Sequence, residues 1–273
     1  MERIRKPAVA GYFYPGNPQR LKKEISVMLD LTKLQKPFNK IFGLVSPHAG
    51  YIYSGRTAAY GFNLLQKKNY ETVIVISPSH KEYFPGSCVY DGTAYETPLG
   101  ELKINEIMSQ KICDGSKTIF RGIKGHGDEH AIEVQLPFLQ SVIDNFKIVP
   151  VVMGDQGKPY IDELAQKISN AADENTLVVA SSDLSHYYDR IKANIMDSIV
   201  EKNINDFDYD SLINNLEVGK CEACGGGPIA VMMKAAELMN YKKSKVLFRN
   251  DSGDTSGDLN QVVGYLSAVV YGD

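Results

Sequence analysis

Short runs of β-branched and other apolar residues recur along the chain, separated by stretches of helical periodicity. This alternation narrows the possible folds more than any other feature. The runs Phe42–Val45, Val73–Ser77, Lys147–Val152, Leu177–Ala180, Lys245–Phe248 and Val262–Val270 have the length and residue types of buried strands. Between them Asn17–Leu31, Ser54–Lys67, Glu129–Asn145, Pro159–Ala172, Ile191–Ile204 and Pro228–Tyr241 read as helices. In the first, Asn17 precedes Pro18 at the opening helical position, and Leu21, Ile25, Met28 and Leu29 fall on one face. Continuous apolar strands must be covered on both sides. The pattern therefore predicts an α/β fold, a central and largely parallel or mixed sheet with helices on both faces. No repeat, low-complexity stretch or long polar linker divides the chain, so residues 1–273 are expected to form a single domain.

Two connections are less regular. Asp91-Gly92 between Val89-Tyr90 and Ala94-Tyr95 has the composition of a hairpin turn, which would add antiparallel strands at a sheet edge. The polar, Gly-rich segment Arg249–Gly257 reads as a loop between the last two strands.

Charge excludes several function classes. Thirty Lys and Arg against 33 Asp and Glu leave a formal charge of −3 with the two signs interspersed, so no basic face is set up for nucleic acid or an anionic membrane. No apolar run reaches the roughly 20 residues of a membrane-spanning helix, and no signal-peptide stretch follows the basic N-terminus. Four cysteines in 273 residues are too few for a disulfide framework. Reduced thiols and a cytoplasmic location are the expectation.

Ligands in open α/β sheets bind beyond the carboxyl ends of the strands. Here three strands run out into histidines: Phe42–Val45 into Ser46-Pro47-His48, Val73–Ser77 into Pro78-Ser79-His80, and Leu177–Ala180 into Ser181-Ser182-Asp183-Leu184-Ser185-His186. A Ser-Pro pair can simply end a strand. A proline one or two residues ahead of both His48 and His80 also fixes each approach, which suits a ligand held in place before a metal arrives. Cys224, in Cys221-Glu222-Ala223-Cys224-Gly225-Gly226-Gly227-Pro228, stands just before a helix that Pro228 can start. Such a helix end would favour the thiolate by lowering its pKa, which fits Cys224 as metal ligand or nucleophile. Cys221 and Cys224 also form half of a structural zinc motif or a redox pair, without a matching second half. In the segment 125–137, Asp128 is positioned to cap a helix with His130 in its first turn, Asp128 and Glu129 complement the helix dipole, and Pro137 predicts a kink.

Read together, these segments resemble the Memo family, protein B of the AmmeMemoRadiSam system in many microbes. The resemblance runs nearly end to end, through RKPAVAGYFYP, SPHAGYIYSG, SPSH, ETPLG, DEHAIEVQLPFL, SSDLSHY, CGGGPI, GDTSG and VVGY. It implies a fold similar to class III extradiol dioxygenases. By motif, His48, His80 and Cys224 resemble metal ligands, His186 is placed like an acid/base histidine, and Asp183 and His130 are pocket residues. The third ligand departs from the dioxygenase pattern, since a thiolate replaces a carboxylate. The softer donor set fits iron(II) first, with copper or zinc as alternatives. Lys81 stands after His80 where some relatives carry another histidine.

The resemblance implies a metal-dependent oxidoreductase, or else a non-catalytic metal-binding or phosphopeptide-recognition protein in which Arg56 helps to line the pocket. The expected partners are a small-molecule or peptide ligand and, in a shared pathway, a radical-SAM protein and an AMMECR1-like protein. A blue-copper-like carrier is disfavoured, because no methionine follows Cys224 at short spacing as an axial ligand.

Overall fold

The computed structural model describes residues 3–32 and 38–273. In chain order its strands are β1 (Ile4–Arg5), β2 (Lys40–Ser46), β3 (Thr72–Pro78), β4 (Ser87–Tyr90), β5 (Ala94–Thr97), β6 (Gly100–Lys103), β7 (Ile119–Gly122), β8 (Lys147–Met153), β9 (Thr176–Ser181), β10 (His186–Tyr188), β11 (Lys243–Asp251) and β12 (Val262–Gly272). The helices are α1 (Pro18–Leu31), α2 (Tyr51–Phe62), α3 (Glu106–Cys113), α4 (Leu136–Val142), α5 (Lys158–Ala171), α6 (Arg190–Asn205), α7 (Tyr209–Glu217), α8 (Gly226–Leu238) and α9 (Gly253–Ser256).

The large sheet has the order β10-β12-β2-β9-β3-β8-β4-β7, with β11 also paired to β12. Its centre, β2-β9-β3-β8, is parallel, while β12 on β2 and β4 on β8 are antiparallel. The sheet is thus mixed with a parallel heart. Along β3, Val73 and Val75 enter one core and Ile74 and Ile76 the other, as the two-residue period of a strand requires. The α1, α2 and α4 helices close the first face, and α5, α6, α7 and α8 the second. Ten residues of α8 are buried, because it packs against α5 and α7 as well as the sheet.

Three local expectations are corrected. The Asp91-Gly92 hairpin does not form: β4 pairs with β7 and β8, whereas β5 joins a separate three-stranded sheet of order β1-β5-β6. The N-terminal strand supplies β5 with its partner, and Thr93 donates its N–H to the Arg3 carbonyl at 2.8 Å. The tight turn lies instead between β5 and β6, where Gly100 has φ +115°, open to glycine and strained for other residues. The helix expected over 129–145 shrinks to α4, preceded by a 3-10 turn over Glu133–Gln135. Pro137 therefore lies in the first turn and introduces no kink, and Asp128 is exposed and caps nothing. The segment 249–257 is not all loop. Residues 249–251 extend β11 along β12, and 253–256 make one helical turn, with Arg190 holding Asp251 and Asp254.

The junction of the two sheets contains a buried histidine. His126 accepts the Tyr95 hydroxyl at Nδ1 (2.7 Å) and donates from Nε2 to the Cys88 carbonyl (3.0 Å). Burial holds its pKa down at about 4, against the opposing effect of the Cys88 carbonyl. Between that value and the ordinary 6.5 the unfolded chain binds the extra proton, so stability is complete above pH 6.5 and is lost as pH falls toward 4. We expect a loss of up to about 3 kcal/mol across this window. Urea unfolding at several pH values measures it, and an unchanged pH slope in His126→Gln would show that another group is responsible.

Candidate metal centre

The parallel strands all deliver their carboxyl ends to one edge. There β2 leads to His48, β3 to His80 and β9 to Asp183, and the loop between α7 and α8 brings in Cys224. The ligating atoms of His48, His80 and Cys224 lie within 4.8 Å of one another. His48 Nε2 is 3.2 Å from Cys224 Sγ.

Hydrogen bonds orient both imidazoles. The Ser181 hydroxyl donates to the Ala131 carbonyl at 2.7 Å and accepts the Gln135 amide at 2.7 Å, so its remaining role toward His48 Nδ1, 2.9 Å away, is acceptor. Assigned from this network, the proton sits on Nδ1 and the Nε2 lone pair faces Cys224. Burial, reinforced by the neighbouring His80, holds the His48 pKa at about 3, so the ring is neutral near pH 7.

His80 is set by Glu129. Its backbone N–H and Nδ1 contact the two carboxylate oxygens at 2.6 and 2.9 Å, leaving Nε2 available. Glu129 Oε1 also accepts the N–H groups of His130 and Ala131, each at 2.9 Å. Burial alone would raise this carboxyl, but the donors from His80 and Ala131 outweigh it and hold the pKa at about 2. An oxygen pair saturated in this way supports His80 rather than acting as a ligand, although Glu129 lies within coordination distance of His80 and His130. Carboxylates behind metal-bound histidines typically contribute about 10–100-fold in affinity, and we expect that loss from Glu129→Gln. Competition against a chromophoric chelator measures it, and wild-type affinity would refute the assignment.

The Cys224 loop is held on both sides. Asp183 donates its N–H to Sγ at 3.2 Å, and Gln156 grips the Cys224 carbonyl (2.8 Å) and the Gly227 N–H (2.7 Å). Gly225 crosses so close to β9 that a Cβ there would lie 2.1 Å from the Ser181 carbonyl oxygen. Gly225→Ala should therefore cost about 1–3 kcal/mol and push Cys224 away from His48. A thermal unfolding midpoint equal to wild type would contradict that tight approach. The expectation of a lowered thiol pKa is corrected in the metal-free protein: burial pushes the Cys224 thiol up, the Asp183 carboxyl adds to this, and the N–H groups of Asp183 and Gly225 only partly offset it.

Asp183 is buried and accepts the His48 N–H at 2.8 Å, and burial raises its carboxyl pKa. His130 lies 5.4 Å from His48 and 5.1 Å from His80 between ring centroids, with Phe13 edge-on at 4.9 Å. Burial lowers its pKa to about 4, with His48 adding to the effect. His186 opens β10 and shares the wall of one cleft with Cys224. Arg56 is exposed on α2 with its guanidinium over Phe248 at 5.6 Å, and no contact places it in the pocket. All four cysteines are free thiols. The supporting roles of Glu129, Gln135, Ser181 and Gln156 were not visible in the sequence, since each acts across more than 40 residues.

The family model described as "Memo-like protein" matches residues 5–269. A MEMO1 family protein of Thermoplasma volcanium is 39% identical over 270 residues, covering 97% of this chain and 98% of that protein. One from Methanocaldococcus jannaschii is 36% identical over 291 residues, covering 99% and 100%. The crystal structure of an uncharacterized protein from Escherichia coli K12 shares the fold at a TM-score of 0.57 and 12% identity, over 84% of this chain and 99% of that one. With matches that run almost from one end to the other, this chain belongs to the Memo-like family.

Proposed function

We propose that the protein is a metal-dependent oxidoreductase whose ion is held by His48, His80 and Cys224. The observation that carries this reading is the convergence of three ligating atoms within 4.8 Å, with both imidazoles engaged at Nδ1 by Ser181 and Glu129 so that Nε2 is the nitrogen left for an ion. Two nitrogens and one sulfur at this spacing fit the roughly 2.0–2.3 Å bonds of a single ion. The set suits iron(II) first, then copper(I) or zinc. When bound, the metal would supply a Lewis acid or redox centre with positions open to small molecules.

The chain's own residues do the rest. Asp183 fixes the backbone of His48, and Glu129 fixes His80. His130, beside both ligand histidines, and His186, on the wall of the adjoining cleft, are placed to hold or move a proton on a bound molecule. The sequence motifs resemble a family whose fold is expected to be similar to class III extradiol dioxygenases, and that resemblance is the ground for oxygen-dependent chemistry on aromatic or thiol compounds. The family's microbial members are the ground for a pathway shared with a radical-SAM and an AMMECR1-like protein. Protein loaded anaerobically with iron(II) should consume oxygen when given the right phenol, diol or thiol, and should lose this in His186→Ala. Full metal occupancy with no turnover across such a panel would instead favour a binding role for the same pocket.

A further inference from the structure

A cleft of ≈ 590 Å³ opens between the start of α5, the end of α7 and the loop before α8. Cys224 and His186 form part of its wall, so it adjoins the candidate metal centre. Ile161, Leu184, Ile213 and Leu216 give it apolar sides. Two carboxylates, Glu217 and Glu222, also line it, and among the described residues no lysine or arginine does. Of the cations around it, Lys158 pairs with Asp210 at 2.9 Å while also feeling the charge of Glu217, Lys192 lies over the Tyr188 ring at 3.9 Å, and Lys220 is exposed on the loop between the two carboxylates. Glu222 accepts the Tyr188 hydroxyl at one oxygen and a long 3.4 Å contact from the His186 N–H at the other, which leaves acceptor capacity on both. Among the described residues no group donates a hydrogen bond to Glu217, which is exposed at the rim.

We propose that this cleft binds a small, mainly apolar molecule bearing a cationic amine, its ammonium received by Glu217 and Glu222 and its body packed on Leu184, Ile213 and Leu216. Two carboxylates on apolar walls, with no lysine or arginine among the described lining residues, disfavour anions, and a partly desolvated ammonium–carboxylate contact is stronger than its neutral counterpart. The proposal deepens the metal-centre reading by naming its substrate class, and rests on that reading only in taking the bound amine as the molecule presented to the ion.

Ligand-observed NMR and calorimetry on metal-free protein, with 2-phenylethylamine, 2-phenylethanol and 3-phenylpropionate as probes, test it. The amine should bind about tenfold or more tighter than the alcohol, and the acid more weakly than either. The advantage should vanish in Glu217→Gln/Glu222→Gln, and all binding should fall in Leu216→Trp. Equal affinity for amine and alcohol, an advantage that survives the double variant, or no amine binding to folded protein would overturn the proposal. Because Glu217 is exposed, Glu217→Gln alone gives a folded variant that should already weaken the amine. Metal uptake measured on the same preparations separates the two ideas. Metal bound without amine recognition sinks the cleft alone, and amine recognition in protein that takes up no metal sinks the metal centre alone.

Discussion

Cys224→Ala and His48→Ala are each expected to abolish stoichiometric metal binding. Outer-shell changes cost about 10–100-fold, and removing a direct donor should cost more than that. The physical reason is local. His48 is almost fully buried and its ring is locked through Ser181, so its nitrogen is held in place for the ion before the ion arrives. Cys224 is tied at both its carbonyl and its sulfur. Metal analysis after anaerobic reconstitution, beside circular dichroism to show that the variants fold, measures the effect. One equivalent of metal retained in both variants would refute the ligand assignment.

A second large effect is expected far from the metal atoms, at Arg5. Its guanidinium is buried and pairs with the buried carboxylate of Glu133, while Nε and Nη2 donate to the carbonyls of His126 (3.1 Å) and Gly127 (3.2 Å) and also to that of Glu129. Glu133 in turn accepts the N–H groups of Ala8 (2.7 Å) and Val9 (3.0 Å) and the Tyr14 hydroxyl. This cluster fastens the N-terminal segment to the loop that carries Glu129 and His130. Arg5→Met would strand a buried carboxylate, a change that costs about 3–5 kcal/mol. It should also loosen Glu129 and so weaken metal binding through His80. Urea unfolding and a metal titration on the same variant check both, and a destabilisation under about 1 kcal/mol would contradict the role assigned to this pair.

The centre of the fold was legible because β3, β8 and β9 are covered on both faces and must be apolar throughout, a signal that needs no partner to be read. Helices with one apolar stripe, α1 and α5, were equally plain. What failed depended on distant parts of the chain. The parallel partner of β5 is β1, 90 residues earlier, and nothing near Asp91-Gly92 announces it. The helix expected from 129 begins late because Glu129 spends its carboxylate on His80, His130 and Ala131, and its carbonyl on Arg5. The short helices α3 and α7 offered too few turns for a periodic pattern to stand out. At the site, strand-end position and family resemblance pointed to His48, His80 and Cys224, whose ligating atoms the fold brings together. The residues behind them were hidden, since sequence spacing does not show which serine or glutamate will face a given imidazole.

X-ray absorption at the metal edge of anaerobically loaded protein tests the central claim most directly. The account predicts a first shell containing one sulfur at about 2.3 Å and two imidazole nitrogens at about 2.0–2.1 Å, with the sulfur lost in Cys224→Ser. A shell made only of nitrogen and oxygen, or a sulfur contribution unchanged in that variant, would contradict it.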